Sequence, residues 1–356
     1  MTEKIALVGT PCEMLTAAKL QHYTQSPIEY KIGLFCMENF SYSYLSNLMS
    51  QYDVDYDDIK KFRIEKGFGF LTLNDDSQIK IPISDLQDVV RKNCNICVDL
   101  TSEKADISIG SIGSADGYST VIIRNEKLDE IIQKAIDDGY FEVKLLSEKQ
   151  EKILKRLSSN KKKRNLENIE EKESRSKPVL YMRDVEMSHI LDENMVSNFV
   201  DLKANVIDNA SCVHCGGCEY MCPYDLIKID DTKPFTTKKC PDDCHACFII
   251  CPRTYTPDKL KFDNKKAIGE YTSIMSLKSL KDYPTQDGGV ITTLLEYLME
   301  NEYVDKTVIV DKKEDQPWKP YAKLTDDIND VIAASGTKYS VCPVFKPLKE
   351  LKEEGK

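Results

Sequence analysis

The sequence predicts a mixed α/β fold interrupted by a small cysteine-rich domain, and three observations predict it. Short apolar strands are followed by amphipathic helices near both ends of the chain. Eight cysteines are packed into residues 212–251. Between the first α/β stretch and those cysteines, residues 147–178 are dominated by Lys, Glu, Ser and Asn, with Lys161-Lys162-Lys163-Arg164 at the centre. Such a stretch reads as a solvated helix or linker and marks a domain boundary.

A chain of 356 residues holds two or three domains. Its 41% hydrophobic and 30% charged content is that of an ordinary globular protein. The net charge of −10 argues against a nucleic-acid partner, which favours basic surfaces. No apolar run approaches the roughly 18 residues of a membrane span. The start, Met1 to Val8, lacks the basic-then-apolar shape of a secretory signal, so a cytoplasmic location is expected. In that compartment 13 cysteines point to metal or redox chemistry rather than disulfides.

The first strand is Ile5–Val8, followed by Gly9-Thr10-Pro11-Cys12 and a helix carrying Met14, Leu15, Ala18 and Leu20. A second strand, Lys31–Phe35, ends at Cys36. Both cysteines thus sit just past the carboxyl end of a strand, where α/β folds place ligands. Cys94 and Cys97 form a Cys-x2-Cys step on a polar loop. Four thiolates are the number a [4Fe–4S] cluster needs, yet spacing alone leaves buried apolar thiols, a zinc site and a redox dithiol equally open.

Residues 105–124 place a loop rich in Gly and Ser, from Gly110 to Thr120, between two short β runs. Such a loop lets backbone amides approach a phosphate closely, or is a plain surface turn. Leu128, Ile131, Ile132, Ala135 and Ile136 form the core face of the helix that follows.

The cysteine-rich stretch supplies the strongest signal. Cys212, Cys215, Cys218 and Cys222-Pro223 have the Cys-x2-Cys-x2-Cys-x3-Cys-Pro spacing of a bacterial-type ferredoxin. Cys240, Cys244, Cys247 and Cys251-Pro252 repeat it with one extra residue in the first step. The fourth cysteine of each run serves the other cluster. This assigns Cys212, Cys215, Cys218 and Cys251 to one [4Fe–4S] cluster, and Cys240, Cys244, Cys247 and Cys222 to a second. Paired cysteines also bind zinc, but two Cys-x3-Cys-Pro endings favour clusters. His214 and His245, inside these loops, are expected to be packing residues, and the four histidines form no catalytic constellation.

Past this module, Asp287-Gly288-Gly289 opens a helix with Ile291, Leu294, Leu295 and Leu298 at helical spacing, an entry suited to an anion or a tight turn. A strand, Thr307–Val310, and the polar loop Gly336-Thr337-Lys338-Tyr339 follow. The tail from Lys346 reads as an exposed helix.

Taken together, Gln286-Asp-Gly-Gly-Val-Ile, Gly336-Thr-Lys-Tyr339, Pro11-Cys12, Gly33-Leu-Phe-Cys36-Met-Glu-Asn-Phe40, Cys94-x2-Cys97 and Gly110–Ser114 through Thr120 resemble the beta subunit of coenzyme F420-reducing hydrogenase and its relatives. Those relatives include F420H2 dehydrogenase input subunits, the F420-oxidising half of an archaeal sulfite reductase and formate dehydrogenase beta subunits. The resemblance implies an oxidoreductase with an α/β (mixed α+β) flavin domain plus a two-cluster ferredoxin domain. It implies a third [4Fe–4S] cluster on Cys12, Cys36, Cys94 and Cys97, with no ligand role for Cys342. It also implies FAD held by Asp287, Gly288, Gly289, Thr292, Gly336, Thr337, Lys338, Asn39, Gly113, Ser114, Gly117, Ser119 and Thr120. Coenzyme F420 would stack on the flavin as substrate, with hydrogenase, dehydrogenase or reductase subunits, or a ferredoxin, as partners. No side chain is required as acid or base. An electron-transfer subunit without hydride chemistry, or a relative with another donor, is the alternative.

In that family the Asp-Gly-Gly part precedes the Pro-Cys part, and here the order is reversed. The expected domains are residues 1–150, the C-terminal-type half of the flavin domain; 151–200, a charged helical linker; 201–262, the ferredoxin domain; and 263–356, the N-terminal-type half. A circular permutation of this kind predicts chain ends close together on one face.

Overall fold

The computed structural model describes residues 3–65, 67–184, 198–283, 287–316 and 318–354. In chain order the strands are β1 (Ile5–Gly9), β2 (Ile28–Leu34), β3 (Ile59–Glu65), β4 (Phe68–Leu73), β5 (Gln78–Pro82), β6 (Ile107–Gly110), β7 (Ser119–Ile123), β8 (Phe141–Lys144), β9 (Ile227–Ile229), β10 (Pro234–Thr236), β11 (Ser273–Ser279), β12 (Lys306–Lys312) and β13 (Pro320–Thr325). Eight of them form one sheet in the order β13-β12-β1-β2-β6-β7-β11-β8. At its centre β12, β1, β2 and β6 run parallel. The inner strands are buried on both faces and therefore read as apolar runs rather than alternating ones.

The helices are α1 (Pro11–Tyr23), α2 (Tyr42–Gln51), α3 (Ile83–Asp88), α4 (Glu126–Asp137), α5 (Glu148–Ser174), α6 (Phe199–Leu202), α7 (Gly217–Met221), α8 (Ala246–Ile250), α9 (Val290–Glu300), α10 (Ile328–Ala333) and α11 (Leu348–Glu354). On one side of the sheet, Leu128, Ile131 and Ile132 of α4 and Leu294, Leu295 and Leu298 of α9 join Ile32, Ile109 and Val121 in one apolar cluster. A second cluster unites Ile5, Leu7, Met14, Val308 and Leu348 with Val213, Cys215 and Ile250 of the cysteine-rich module. That module adds the β9–β10 hairpin and a small core of Leu202, Val206, Ile227 and Phe248. A separate antiparallel sheet, β3-β4-β5, packs on α2 and α3 through Phe62, Leu71, Ile81 and Leu86.

Segments from both ends of the sequence thus share one sheet, with Ile5 of β1 in register with Lys306 of β12. Met1 and Lys356 lie outside the described residues. The elements next to them meet, since Leu348 and Leu351 of α11 pack in the cluster that holds Ile5 and Leu7. The tail is correspondingly less exposed than expected: Phe345 and Leu348 are fully buried.

The charged stretch also departs from expectation. α5 is a 27-residue helix that buries Leu154, Ser158, Lys161, Lys162, Asn165 and Ile169. These residues recur at helical spacing and form one stripe. Composition misreads the stripe because its members bury their stems and direct their polar ends to backbone carbonyls or a carboxylate. Ser158 Oγ donates to Ala267 O at 2.6 Å. Lys162 Nζ donates to Lys266 O at 2.7 Å and pairs with Glu103 at 2.8 Å, both side chains nearly inaccessible. Among the described residues, no helix is long and apolar enough to cross a membrane.

Removing one partner of a buried ion pair costs far more than replacing both. Lys162→Met is therefore expected to lower the unfolding free energy by about 3 kcal/mol in a denaturant titration. Adding Glu103→Leu in the same chain should recover most of that loss.

Candidate functional site

The carboxyl ends of β12, β1, β2, β6 and β11 share one edge of the sheet, because β11 and β6 both run antiparallel to β7. At the end of β1, Glu13 Oε2 accepts from Thr10 N (2.6 Å) and Thr10 Oγ1 (2.9 Å). This closes the first turn of α1 and fixes Cys12 on it. Burial raises the Glu13 carboxyl to about 7. The end of β2 delivers Cys36, whose amide donates to Leu100 O at 2.9 Å. Cys94 and Cys97 lie on and just after the 3-10 turn Lys92–Ile96. Asn165 of α5 holds that turn, its Nδ2 donating to Cys94 O (2.9 Å) and Cys97 O (2.7 Å).

These four thiols are neighbours. Burial pushes Cys36 up, and Cys94, Cys12 and Cys97 push it further. Burial likewise raises Cys12 and Cys94, with the charge of Cys97 adding to each. Cys97 goes the other way. Burial would raise it, but the Lys161 ammonium and the Arg253 guanidinium outweigh burial and hold its thiol below the usual range. Lys161 is almost wholly buried and donates to Cys36 O (2.6 Å) and Asp99 O (2.7 Å).

The cysteine-rich module forms two further sets. Burial raises Cys212 to about 11 and Cys215 to about 12, and Cys251 contributes to both. Burial also raises Cys218, followed by Cys212, Cys215 and Cys251. Burial raises Cys240 as well, with help from Cys244 and Cys222, and Cys247 with help from Cys240, Cys244, Cys251 and Cys222. The thiols of the two runs thus act on one another across the module, Cys251 on Cys212, Cys215 and Cys218 as well as on Cys247, and Cys222 on Cys240 and Cys247. Among the described residues, no three His, Cys, Asp or Glu side chains converge as around a single metal ion. The sets are groups of neighbouring thiols, defined by their mutual electrostatic influence. His214 Nε2 bonds Asp230 O at 2.6 Å, and Cys342 is buried in an apolar cluster.

Helix α1 links the sets. It carries Cys12 in its first turn; one turn on, Thr16 Oγ1 approaches Cys215 Sγ at 3.5 Å. Lys19, fully buried, donates to Cys251 O at 2.6 Å and Thr254 Oγ1 at 3.2 Å. Burial draws its ammonium down to about 7.

The glycine-rich loops fall into two groups. Ser114 Oγ bonds Thr120 Oγ1 (2.7 Å) and Ser276 Oγ (2.6 Å), with Gly113 beside Thr120. Gly288 joins this group: a Cβ there would stand 2.7 Å from Ser119 N and 2.8 Å from Leu277 O. Only glycine allows that approach. Gly289 caps α9 in the left-handed region (φ 70°), and Thr292 is buried on the helix's first turn. Gly117 (φ 80°) borders open space. Burial raises the Asp287 carboxyl, opposed by Lys61 and Arg63 of β3.

The second group pairs Asn39 with the Gly336–Lys338 loop, through a bridge between Phe40 and Ser340. Asn39 Oδ1 accepts from Phe40 N at 2.7 Å. Lys338, expected at a phosphate, is committed elsewhere: its Nζ donates to the Ala334 and Ser335 carbonyls at the end of α10. Burial brings its ammonium down to about 8. Strand β3 connects the two groups, with Phe62 packed 4.6 Å from the Tyr339 ring and Lys61 and Arg63 acting on Asp287.

Lys161, Asn165, Lys19, Arg253 and Ser276 escaped the reading of the sequence. Arg253 had a signal, since it directly follows Cys251-Pro252. Lys161 had the opposite of one, lying inside a charge run that reads as surface.

Fold and thiol sets together define an iron–sulfur protein of mixed α/β class. A family model for the C terminus of the coenzyme F420 hydrogenase/dehydrogenase beta chain matches residues 2–149. Its companion, for the N-terminal part of the same beta chain, matches residues 279–349. A 4Fe-4S dicluster domain model matches residues 163–227, which takes in the first cysteine run and stops before the second. The chain belongs to the coenzyme F420 hydrogenase/dehydrogenase beta subunit family, with its C-terminal domain first and its N-terminal domain last.

The coenzyme F420 hydrogenase subunit beta of Methanococcus voltae is 36% identical over 50% of this chain and 66% of its own length. That of Methanosarcina barkeri is 32% identical over 48% and 62%. The coenzyme F420-dependent sulfite reductase of Methanocaldococcus jannaschii is 35% identical over 36% of this chain and 23% of its own. The chain thus spans less than two thirds of the length of each of these three relatives. A chain of the xenon-derivatised F420-reducing [NiFe] hydrogenase complex from Methanosarcina barkeri aligns at 32% identity over 48% of this chain and 62% of that one, with a TM-score of 0.47.

Asn165→Leu removes the donor to two carbonyls of the Cys94–Cys97 turn. Each orphaned buried carbonyl costs about 1–3 kcal/mol. The amides of residues 92–99 should consequently exchange faster with deuterium in this variant, while those of β1 and β2 keep wild-type rates.

Proposed function

We propose that this protein is an F420-dependent iron–sulfur flavoprotein that passes electrons between coenzyme F420 and [4Fe–4S] clusters by way of FAD. The observation that carries this reading is the placement of three thiol sets and a glycine-lined cradle on one α/β frame. Two sets are joined through α1, and the cradle lies on the same sheet edge as Cys12 and Cys36. Family membership supports it, as do the names of the relatives, which are F420 hydrogenase subunits and an F420-dependent sulfite reductase.

In this reading Cys12, Cys36, Cys94 and Cys97 hold one cluster. Cys212, Cys215, Cys218 and Cys251 hold a second, and Cys240, Cys244, Cys247 and Cys222 hold a third. Residues 1–150 and 263–356 together make the flavin domain, and 201–262 the ferredoxin domain. The residues are compatible with these groups: each cluster would draw on four thiols that influence one another, and Gly288 admits close approach where a side chain would collide with Ser119 N. FAD, when bound, exchanges a two-electron hydride for single electrons, which one-electron clusters require.

The protein's own work is binding, orientation and exclusion of water. The amides at the start of α9 and the Ser114–Thr120–Ser276 hydroxyls would hold the flavin's polar groups. Asn39, Gly336, Thr337 and Lys338 would hold it from the other side, for which Lys338 would have to leave the Ala334 and Ser335 carbonyls. The ammonium of Lys161 would offset thiolate charge at Cys36, Cys94 and Cys97. Partner subunits of a hydrogenase, dehydrogenase or reductase supply or receive the electrons. The commitment of Lys338 to carbonyls favours a second reading, an electron-transfer subunit without hydride chemistry.

Anaerobic reconstitution with iron, sulfide and FAD, followed by reduced F420 and a viologen dye, decides between them. Dye reduction is expected, and Cys36→Ser should abolish it while losing about four iron atoms per chain. A dye that stays oxidised while flavin and clusters are bound would defeat the F420 reading.

A further inference from the structure

We infer that Thr16 of α1 is a positioning residue for the Cys212 set: its hydroxyl donates to the Cys215 sulfur and raises the reduction potential of the cluster held there. The inference rests on the cluster reading above and gives a role to a residue which that reading leaves without one.

Thr16 follows Cys12 by one turn of α1 and is fully buried. Its Oγ1 lies 3.5 Å from Cys215 Sγ and 3.1 Å from Cys12 O, so one hydroxyl touches the sulfur of one set and the backbone of another. The Cys12 carbonyl also accepts the Thr16 amide in the helical ladder and does not depend on the hydroxyl. A hydroxyl has a single proton to give. A ligated Cys215 is a thiolate, and a charged acceptor binds a donor roughly twice as strongly as a neutral one. The proton is therefore drawn to the sulfur.

The loop carrying Cys215 is shaped for this contact. A Cβ at Gly217 would stand 2.8 Å from Thr16 Cγ2, so glycine lets α7 approach α1 this closely. The same approach holds the stiff, β-branched Thr16 side chain in the rotamer that places Oγ1 against Cys215. On the other side of the loop, Phe345 N donates to Cys215 O at 3.0 Å, and a Cβ at Gly216 (φ 88°) would stand 3.0 Å from Pro343 Cβ. The loop is thus clasped between α1 and residues 343–346. Lys19, further along α1, donates to Cys251 O at 2.6 Å and fixes a second ligand of the same set.

Reduction of a [4Fe–4S] cluster adds one electron, with no bond made and no proton moved. A donor facing a ligand sulfur stabilises the more negative, reduced form more than the oxidised one, and hydrogen bonds to sulfur are among the determinants of cluster potential. Thr10 provides the contrast. Its Oγ1 lies 3.3 Å from Cys12 Sγ, but it donates to Glu13 Oε2 at 2.9 Å, so its proton is already committed to a carboxylate. The hydroxyl of Thr16 faces no carboxylate and is free to serve the sulfur.

The test is an EPR-monitored dithionite titration of the anaerobically reconstituted full chain, with iron quantified in each variant and Cys215→Ser marking the signal of the Cys212 set. Thr16→Val keeps the shape and removes the hydroxyl. It is expected to retain all three clusters while the marked midpoint falls about threefold in the reduction equilibrium constant, or about 28 mV at 59 mV per tenfold change. Thr16→Ser keeps the hydroxyl and should keep the wild-type midpoint. Gly217→Ala, which drives a Cβ against Thr16 Cγ2, should lower the same midpoint, and adding Thr16→Ser, which removes that methyl, should restore it. If Thr16→Val loses iron, the Gly217→Ala single and double variants carry the test. Unchanged midpoints in the variants that assemble, equal falls in all three clusters, or a fall in Thr16→Ser as large as in Thr16→Val overturn the inference. Wild-type protein with iron and EPR signals for only two clusters would instead overturn the underlying assignment, and this inference with it.

Discussion

A thiolate taken out of water costs several kcal/mol unless a cation or hydrogen-bond donors face it. Twelve cysteines of this chain, proposed above as three sets of cluster ligands, are all buried or half-buried. The rest of the structure is arranged around that charge. Lys161, Lys19 and Arg253 are each almost inaccessible; Lys161 and Lys19 donate to cysteine carbonyls, and Arg253 donates to the Asn93 carbonyl beside Cys94. They come from three different segments: α5, α1 and the loop after α8. Bringing these cations to the cysteines therefore draws together segments far apart in the chain.

This requirement explains why the two family domains tolerate reversed order. What the sheet needs is β12 beside β1 and β11 beside β7, and both pairings form whichever segment comes first in the chain. The ends near Met1 and Lys356 meet through Ile5, Leu7, Leu348 and Leu351. The cysteine-rich module bridges the segments in sequence and is fastened to α1 by Thr16 and Lys19. Helix α5 completes the frame by closing over the Cys94–Cys97 turn.

Some of this was legible in the sequence. Strand–turn–helix periodicity placed Cys12 and Cys36 at strand ends, and the ferredoxin spacing supplies the proposed crossing of the fourth cysteine between runs. Family resemblance added the company of Cys94 and Cys97. The compensating cations were not legible, for a physical reason: a buried lysine and a solvated one look alike in composition, and what buries Lys161 is a set of carbonyls far away in sequence. Lys338 shows the same limit in reverse. A lysine in a Gly-Thr-Lys loop invites a phosphate, but α10 ends just before it and supplies carbonyls at hand.

The central claim is that three thiol sets each hold a [4Fe–4S] cluster within one frame built from both ends of the chain. Iron-edge anomalous diffraction from crystals of the anaerobically reconstituted protein addresses it most directly. The account predicts three cubane-sized iron peaks, one of them enclosed by Cys12, Cys36, Cys94 and Cys97 beneath Lys161 of α5. Two iron peaks with the Cys12 set empty, or a zinc-edge signal there, would contradict it.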